Sequence, residues 1–145
     1  MRLWHIDLIP YLPRKQLISQ WRELCAIVSC LHNDNLNHSL VSKIQNYDYN
    51  QFYSYTMKVI RQIYKRGYKV SSNAFNKFIN HLTFIKPDYT LTNDIYKEWH
   101  NDVYLRQCLY NLEEKYSCGL ITQNEWEIIY NQFKDFTPLI KEVLT

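Results

Sequence analysis

Glycine is almost missing from this chain: Gly67 and Gly119 are the only two in 145 residues, beside four prolines. Tight turns consume glycine, so a sandwich or barrel is excluded. A glycine-rich phosphate loop is excluded too, and with it a nucleotide-binding α/β fold. No run approaches the ~18 apolar residues of a membrane span, and Met1-Arg-Leu-Trp-His5 opens no stretch of signal-peptide length. Cys25, Cys30, Cys108 and Cys118 form no C-x-x-C pair, which argues against structural zinc. His32 and His38 are a pair of loop histidines without a carboxylate partner, a weak metal signal. The expectation is a reduced, cytoplasmic protein with no metal, no cofactor and no membrane contact.

What is present is a folding composition, 46% hydrophobic and 21% charged, with thirteen Tyr and four Trp. The length suits one domain with a single core. Leu17, Trp21, Leu24, Val28 and Leu31 recur at helical spacing after Pro13, with Gln16, Gln20 and Glu23 together on a second face. Residues 32–46 read as a polar loop with one turn of structure around His38–Ile44. Asp48 and Gln51 have the spacing of a capping box opening a helix through Phe52, Thr56, Val59, Ile60 and Ile63, which Gly67 ends. A short helix over Asn73–Leu82 follows. Beyond Lys86-Pro87-Asp88 a longer helical region runs from Ile95 and Trp99 to Tyr116, with Asn101-Asp102 as a possible new cap. Thr122 and Glu125 form a capping box for a last helix. These elements predict an all-α single compact domain of about five helices.

Charge is unevenly placed. Residues 1–70 carry ten Lys and Arg against four Asp and Glu, whereas residues 71–145 carry seven against ten. Lys58, Arg61 and Lys65 share one exposed helical stripe. A basic amino-terminal half points to a polyanion, most simply nucleic acid, although mixed-charge surfaces also occur in proteins that bind no anion.

Three features offer chemistry: the amino terminus, Arg2, and Arg22-Glu23. An α-amine has a reference pKa near ~8, so roughly a tenth of it is unprotonated at pH 7 and available as a nucleophile. The large Arg2 is expected to keep Met1 in place. Such an amine can attack an electrophilic sugar carbon and form an imine, and Glu23 can move protons or stabilise the resulting cation. An Arg-Glu pair on a helix is more commonly plain solvated surface.

Met1-Arg-Leu-Trp-His5, Leu8-Ile-Pro10, Leu12-Pro-Arg14, Gln16-Leu17 and Trp21-Arg22-Glu23-Leu24-Cys25 together resemble the amino terminus of the pyrimidine-dimer DNA glycosylase family. The similarity continues at His38, Tyr53–Tyr55 and Lys65-Arg-Gly-Tyr68. It returns at His100-Asn-Asp102 with Leu105, Cys108, Leu109, Asn111 and Leu112. On this basis the family-like part spans about residues 1–118, and 119–145 is an added helical hairpin.

The resemblance implies an all-α fold and a glycosylase with abasic-site lyase activity on damaged pyrimidines. Met1 matches the amine nucleophile and Glu23 the catalytic glutamate, while Arg2 and Arg22 match arginines that contact DNA near the lesion. Lys15 and Gln16 fall on the polar pair before the first helical leucine. Arg14, Lys58, Arg61 and Lys65 complete the expected DNA-binding set. The expected partner is double-stranded DNA with a damaged pyrimidine or abasic site, bound by a monomer. This chain departs from the family in having no Lys or Arg between Arg22 and Lys43, a gap expected to weaken DNA binding and flatten its salt dependence. The alternative is a non-catalytic helical relative that binds nucleic acid or protein.

Overall fold

A computed structural model describes residues 1–136. Leu17, Trp21, Leu24, Val28 and Leu31 lie on one buried stripe, as their spacing dictates, and the helix carrying them is α1, Arg14–His32. Pro13 stands at its N-cap, where a missing N–H leaves nothing unpaired. α1 ends without glycine; Asp34 takes the left-handed φ of 55° instead, which a short polar side chain tolerates.

The described residues form six α-helices and two 3-10 helices, with no strand, so the class is all-α with slightly more elements than expected. A 3-10 helix, Ile6–Tyr11, precedes α1. α2 is Ser39–Gln45, a full short helix where the sequence reads as mostly loop. Its N-cap is His38, whose Nδ1 accepts from the Leu40 amide at 3.1 Å. α3 spans Tyr49–Lys65, α4 Ser72–Ile85, α5 Asp102–Ser117 and α6 Gln123–Gln132, with a 3-10 turn at Lys134–Phe136.

α1 is the central element, packed on α2, α3 and α4. Phe78 of α4 joins them, its ring 5.6 Å from Trp21 of α1 and 5.9 Å from Phe52 of α3. Truncating so central a ring to alanine costs about 3–5 kcal/mol. The first 3-10 helix is fastened to α3 by Arg66, whose guanidinium donates to the carbonyls of Leu12 at 2.6 Å and Pro10 at 3.0 Å. α6 packs on α5 and on the first 3-10 helix, with Tyr11 edge-on to Phe133 at 5.5 Å. The expected hairpin over 119–145 is thus described as far as residue 136, and its remainder lies outside the described residues.

Several local signals read as expected. Gly67 and Gly119 hold φ values of 87° and 78° after α3 and α5. Thr122 and Glu125 form both arms of a capping box. Two expectations fail. Asp48 caps α3 through the Asn50 amide at 2.8 Å, but Gln51 does not reach back. Its Oε1 accepts from the distant Tyr96 amide at 2.6 Å instead.

The second failure follows from that bond. Residues 86–101 form no helix, although Ile95 and Trp99 are buried at helical spacing. Tyr96 has a φ of 54°, which breaks any helix there. The segment's amides go to α3 instead: Thr90 to Asn50 Oδ1 at 3.1 Å, Thr92 to Ser54 Oγ at 2.9 Å, and Tyr96 to Gln51. Asn101 then caps α5 by accepting from the Tyr104 amide at 3.0 Å.

Candidate active site at the amino terminus

The first five residues run extended and have no neighbouring strand, yet Leu3, Trp4 and His5 are buried. Buried peptide groups need partners, and here side chains supply them. Gln20 of α1, completely buried, acts like one peptide unit of a missing strand. Its Oε1 accepts from the Trp4 amide at 2.8 Å and its Nε2 donates to the Arg2 carbonyl at 2.9 Å. The Tyr55 hydroxyl of α3 donates to the Trp4 carbonyl at 2.5 Å and lies 3.0 Å from Gln20 Oε1. Tyr104 of α5 donates to the Leu3 carbonyl at 2.5 Å. Three consecutive carbonyls therefore accept from side chains of three different helices. Burial raises the pKa of both tyrosines well above the ordinary phenol, so they stay proton donors.

This pinning brings the amino terminus to Glu23. The Arg2 amide lies 3.5 Å from Glu23 Oε2, and Gln20 Nε2 lies 3.4 Å from the same oxygen. Both contacts are long, so the carboxylate is oriented without being consumed. Met1, Arg2, Gln16, Ser19, Glu23 and Lys115 line one cleft of about 280 Å³. Met1 is 49% exposed at this cleft, and the Arg2 guanidinium sits 4.8 Å over the Trp4 ring. Met1, the Glu23 carboxylate and two cationic side chains thus share a space open to solvent. Gln16 Oε1 is buried there without a hydrogen-bond partner among the described residues.

The other expected DNA-binding residues are spread out. Arg22 is exposed beside Glu23 in the chain but does not line the cleft, and Lys15 is exposed two turns earlier. The Arg14 guanidinium stacks 4.5 Å over Tyr68. Arg61 and Lys65 are exposed on α3, while Lys58 lines a second recess of about 300 Å³ with His5, Asp7, Lys97 and His100. Gln20, Tyr55, Tyr104 and Lys115 escape the sequence reading as site residues. Only Gln20 had a signal, its place three residues before Glu23 on one helix face. The others reach the site through contacts that no spacing records.

The remaining chemical groups have structural uses. His32 stacks on His81 at 4.3 Å, so the loop pair His32 and His38 is not assembled. No group of three or more His, Cys, Asp or Glu suited to a metal occurs among the described residues, and no helix among them is long and apolar enough to cross a membrane. Cys25 is half-buried, and burial pushes its thiol up to about 11. The fully buried Cys108 is raised by the same cause. Neither is a ready thiolate.

Apart from Lys115, the residues that line the cleft all lie within residues 1–76. The sequence profile of the pyrimidine dimer DNA glycosylases matches residues 1–76, more than half of the 145. A curated protein, glucose N-acetyltransferase 1-B of Kluyveromyces lactis, is 36% identical over 118 residues, 73% of this chain. Those residues are 24% of that protein, so the chain spans about a quarter of the curated relative it matches. No solved structure matches. Met1, Gln20, Glu23 and Tyr55 all fall inside the stretch that the profile covers, and the chain belongs to the pyrimidine dimer DNA glycosylase family.

Proposed function

We propose that this protein is a DNA glycosylase with abasic-site lyase activity, acting on duplex DNA at pyrimidine dimers. The Met1 α-amine is the nucleophile and Glu23 the carboxylate that serves it. One observation carries the reading: the Arg2 amide is 3.5 Å from Glu23 Oε2, and Met1 lines the same cleft. The family membership supports DNA as substrate, and the cationic Arg2 and Lys115 at the cleft suit a phosphate backbone.

The amine lone pair attacks C1′ of the damaged nucleotide as the bond from C1′ to the base breaks. The base leaves with that electron pair and takes up a proton. Transfer of an amine proton to the ring oxygen opens the sugar and leaves a protonated imine, whose charge Glu23 stabilises. Loss of a C2′ proton then expels the 3′ phosphate, and water hydrolyses the imine to free the amine. Glu23 lies 3.5 Å from the amide that follows Met1 and is the acid–base group for these transfers.

Sodium borohydride trapping on an abasic-site duplex tests this reading without depending on lesion recognition. The protein with a free Met1 amine should form a covalent adduct that peptide mapping assigns to Met1. A one-residue amino-terminal extension should abolish the adduct, because an amide nitrogen is not nucleophilic. No adduct from the native protein, under conditions where a known lyase forms one, overturns the reading in favour of a non-catalytic relative that binds nucleic acid or protein.

A further inference from the structure

We propose that Gln20 and Tyr55 act together as positioning residues, holding the terminal amine and the Glu23 carboxylate in one rigid frame. The inference rests on the proposed chemistry of Met1 and Glu23 and extends it to two residues that touch no substrate.

Gln20 Nε2 has two hydrogens, and each has an acceptor: the Arg2 carbonyl at 2.9 Å and Glu23 Oε2 at 3.4 Å. One amide nitrogen thus registers the nucleophile's strand against the carboxylate. Gln20 Oε1 accepts from the Trp4 amide at 2.8 Å, so the side chain cannot flip without placing like groups face to face. Tyr55 reinforces that orientation: its one hydroxyl hydrogen is shared between the Trp4 carbonyl and Gln20 Oε1, which lies 3.0 Å away. Both residues are fully buried, and neither lines the cleft. Their contacts to the terminus span 16 to 51 residues of sequence and join α1 and α3 to it. An amine and carboxylate placed this way need no reorganisation when substrate arrives, which is where positioning lowers a barrier.

Two variants test the frame. Tyr55→Phe keeps the ring and removes the hydroxyl. Gln20→Glu keeps shape; its neutral carboxyl can still donate to the Arg2 carbonyl, but its ionised form cannot and repels Glu23. Imine formation is measured by borohydride trapping in single turnover at saturating abasic duplex, with folding verified by circular dichroism at each pH. Tyr55→Phe should slow trapping about tenfold to a hundredfold while duplex affinity stays within about twofold of wild type. For Gln20→Glu, the rate relative to wild type should be near unity at pH 5 and fall steadily toward pH 8. A purely structural role would not produce that profile. Wild-type rates in Tyr55→Phe together with a flat ratio for Gln20→Glu overturn the proposal.

If the wild type itself forms no adduct, the proposed chemistry fails separately, and hydrogen exchange judges the frame. Faster exchange of the Trp4 amide in folded Tyr55→Phe supports it; unchanged exchange overturns it.

Discussion

Two stretches of this chain lie outside regular helix and are held by the same device, residues 1–5 and residues 86–101. Gln20 of α1 meets the backbone of Arg2 and Trp4, while Asn50, Gln51 and Ser54 of α3 meet the amides of Thr90, Tyr96 and Thr92. In each case polar side chains on a helix replace a missing strand. The results are opposite. The first stretch carries Met1 and Arg2 to a solvent-open cleft beside Glu23 and Lys115. The second continues into α5 and buries Ile95, Tyr96, Trp99 and His100. His100 accepts from the Ile6 amide at 2.9 Å through Nδ1, and burial, with His5 and Lys43 nearby, pushes its pKa down to about 3. One device therefore holds a charged, wet place at residues 1–2 and a buried, dry one at residues 95–100.

The largest expected effect is at the wet end. Glu23→Gln should slow imine formation about 10²–10³-fold, because it keeps shape and loses charge. Its melting temperature should stay within about 2 °C of wild type. A large loss of stability would show that the cleft is as structural as the dry cluster and would break the comparison.

At the dry end the effect should be on folding. His100→Leu leaves the Ile6 amide without its acceptor and should cost about 2–3 kcal/mol in urea unfolding. Imine formation per folded molecule should hardly change.

The same histidine predicts a pH dependence. Its folded pKa of about 3 lies below the ordinary value of 6.5, so the unfolded chain takes up the proton first as pH falls. Stability from this group is complete above the ordinary value and is lost as pH falls toward the depressed one. The loss should be about 2 kcal/mol between pH 7 and pH 5, and His100→Leu should lack that increment. An identical slope in the variant would assign the dependence to His5, which burial also lowers, or to other groups.

The smallest effect concerns the surface. Arg22→Glu should weaken duplex binding about tenfold, and Lys134→Glu less than about twofold, in a filter-binding titration at fixed salt. Equal small effects would leave the exposed face of α1 without a DNA contact and favour a protein partner.

Much of this architecture is legible in the sequence. The α1 stripe, the Gly67 and Gly119 stops and the Thr122–Glu125 box are local signals, and each appears in the structure where the spacing puts it. Ile95 and Trp99 misled because their spacing is helical while Tyr96 between them takes a left-handed φ that only its neighbours explain. The pairing of Met1 with Glu23 rests on family resemblance in the sequence, and in the structure the two residues line one cleft. Lys115 of the same cleft had no signal at all, since its neighbours there lie about a hundred residues away in the chain.

The sequence by itself determined the helical class and most helix ends, because turns, caps and amphipathic faces are written by residues a few positions apart. Which extended segment borders an open cleft and which joins the core was decided only by the tertiary structure. The deciding bonds, from Gln20, Tyr55 and Tyr104 to the first four residues, span 16, 51 and 101 positions. Hydrogen bonds of that range depend on how helices pack, and helix packing is a property of the whole core rather than of any segment within it.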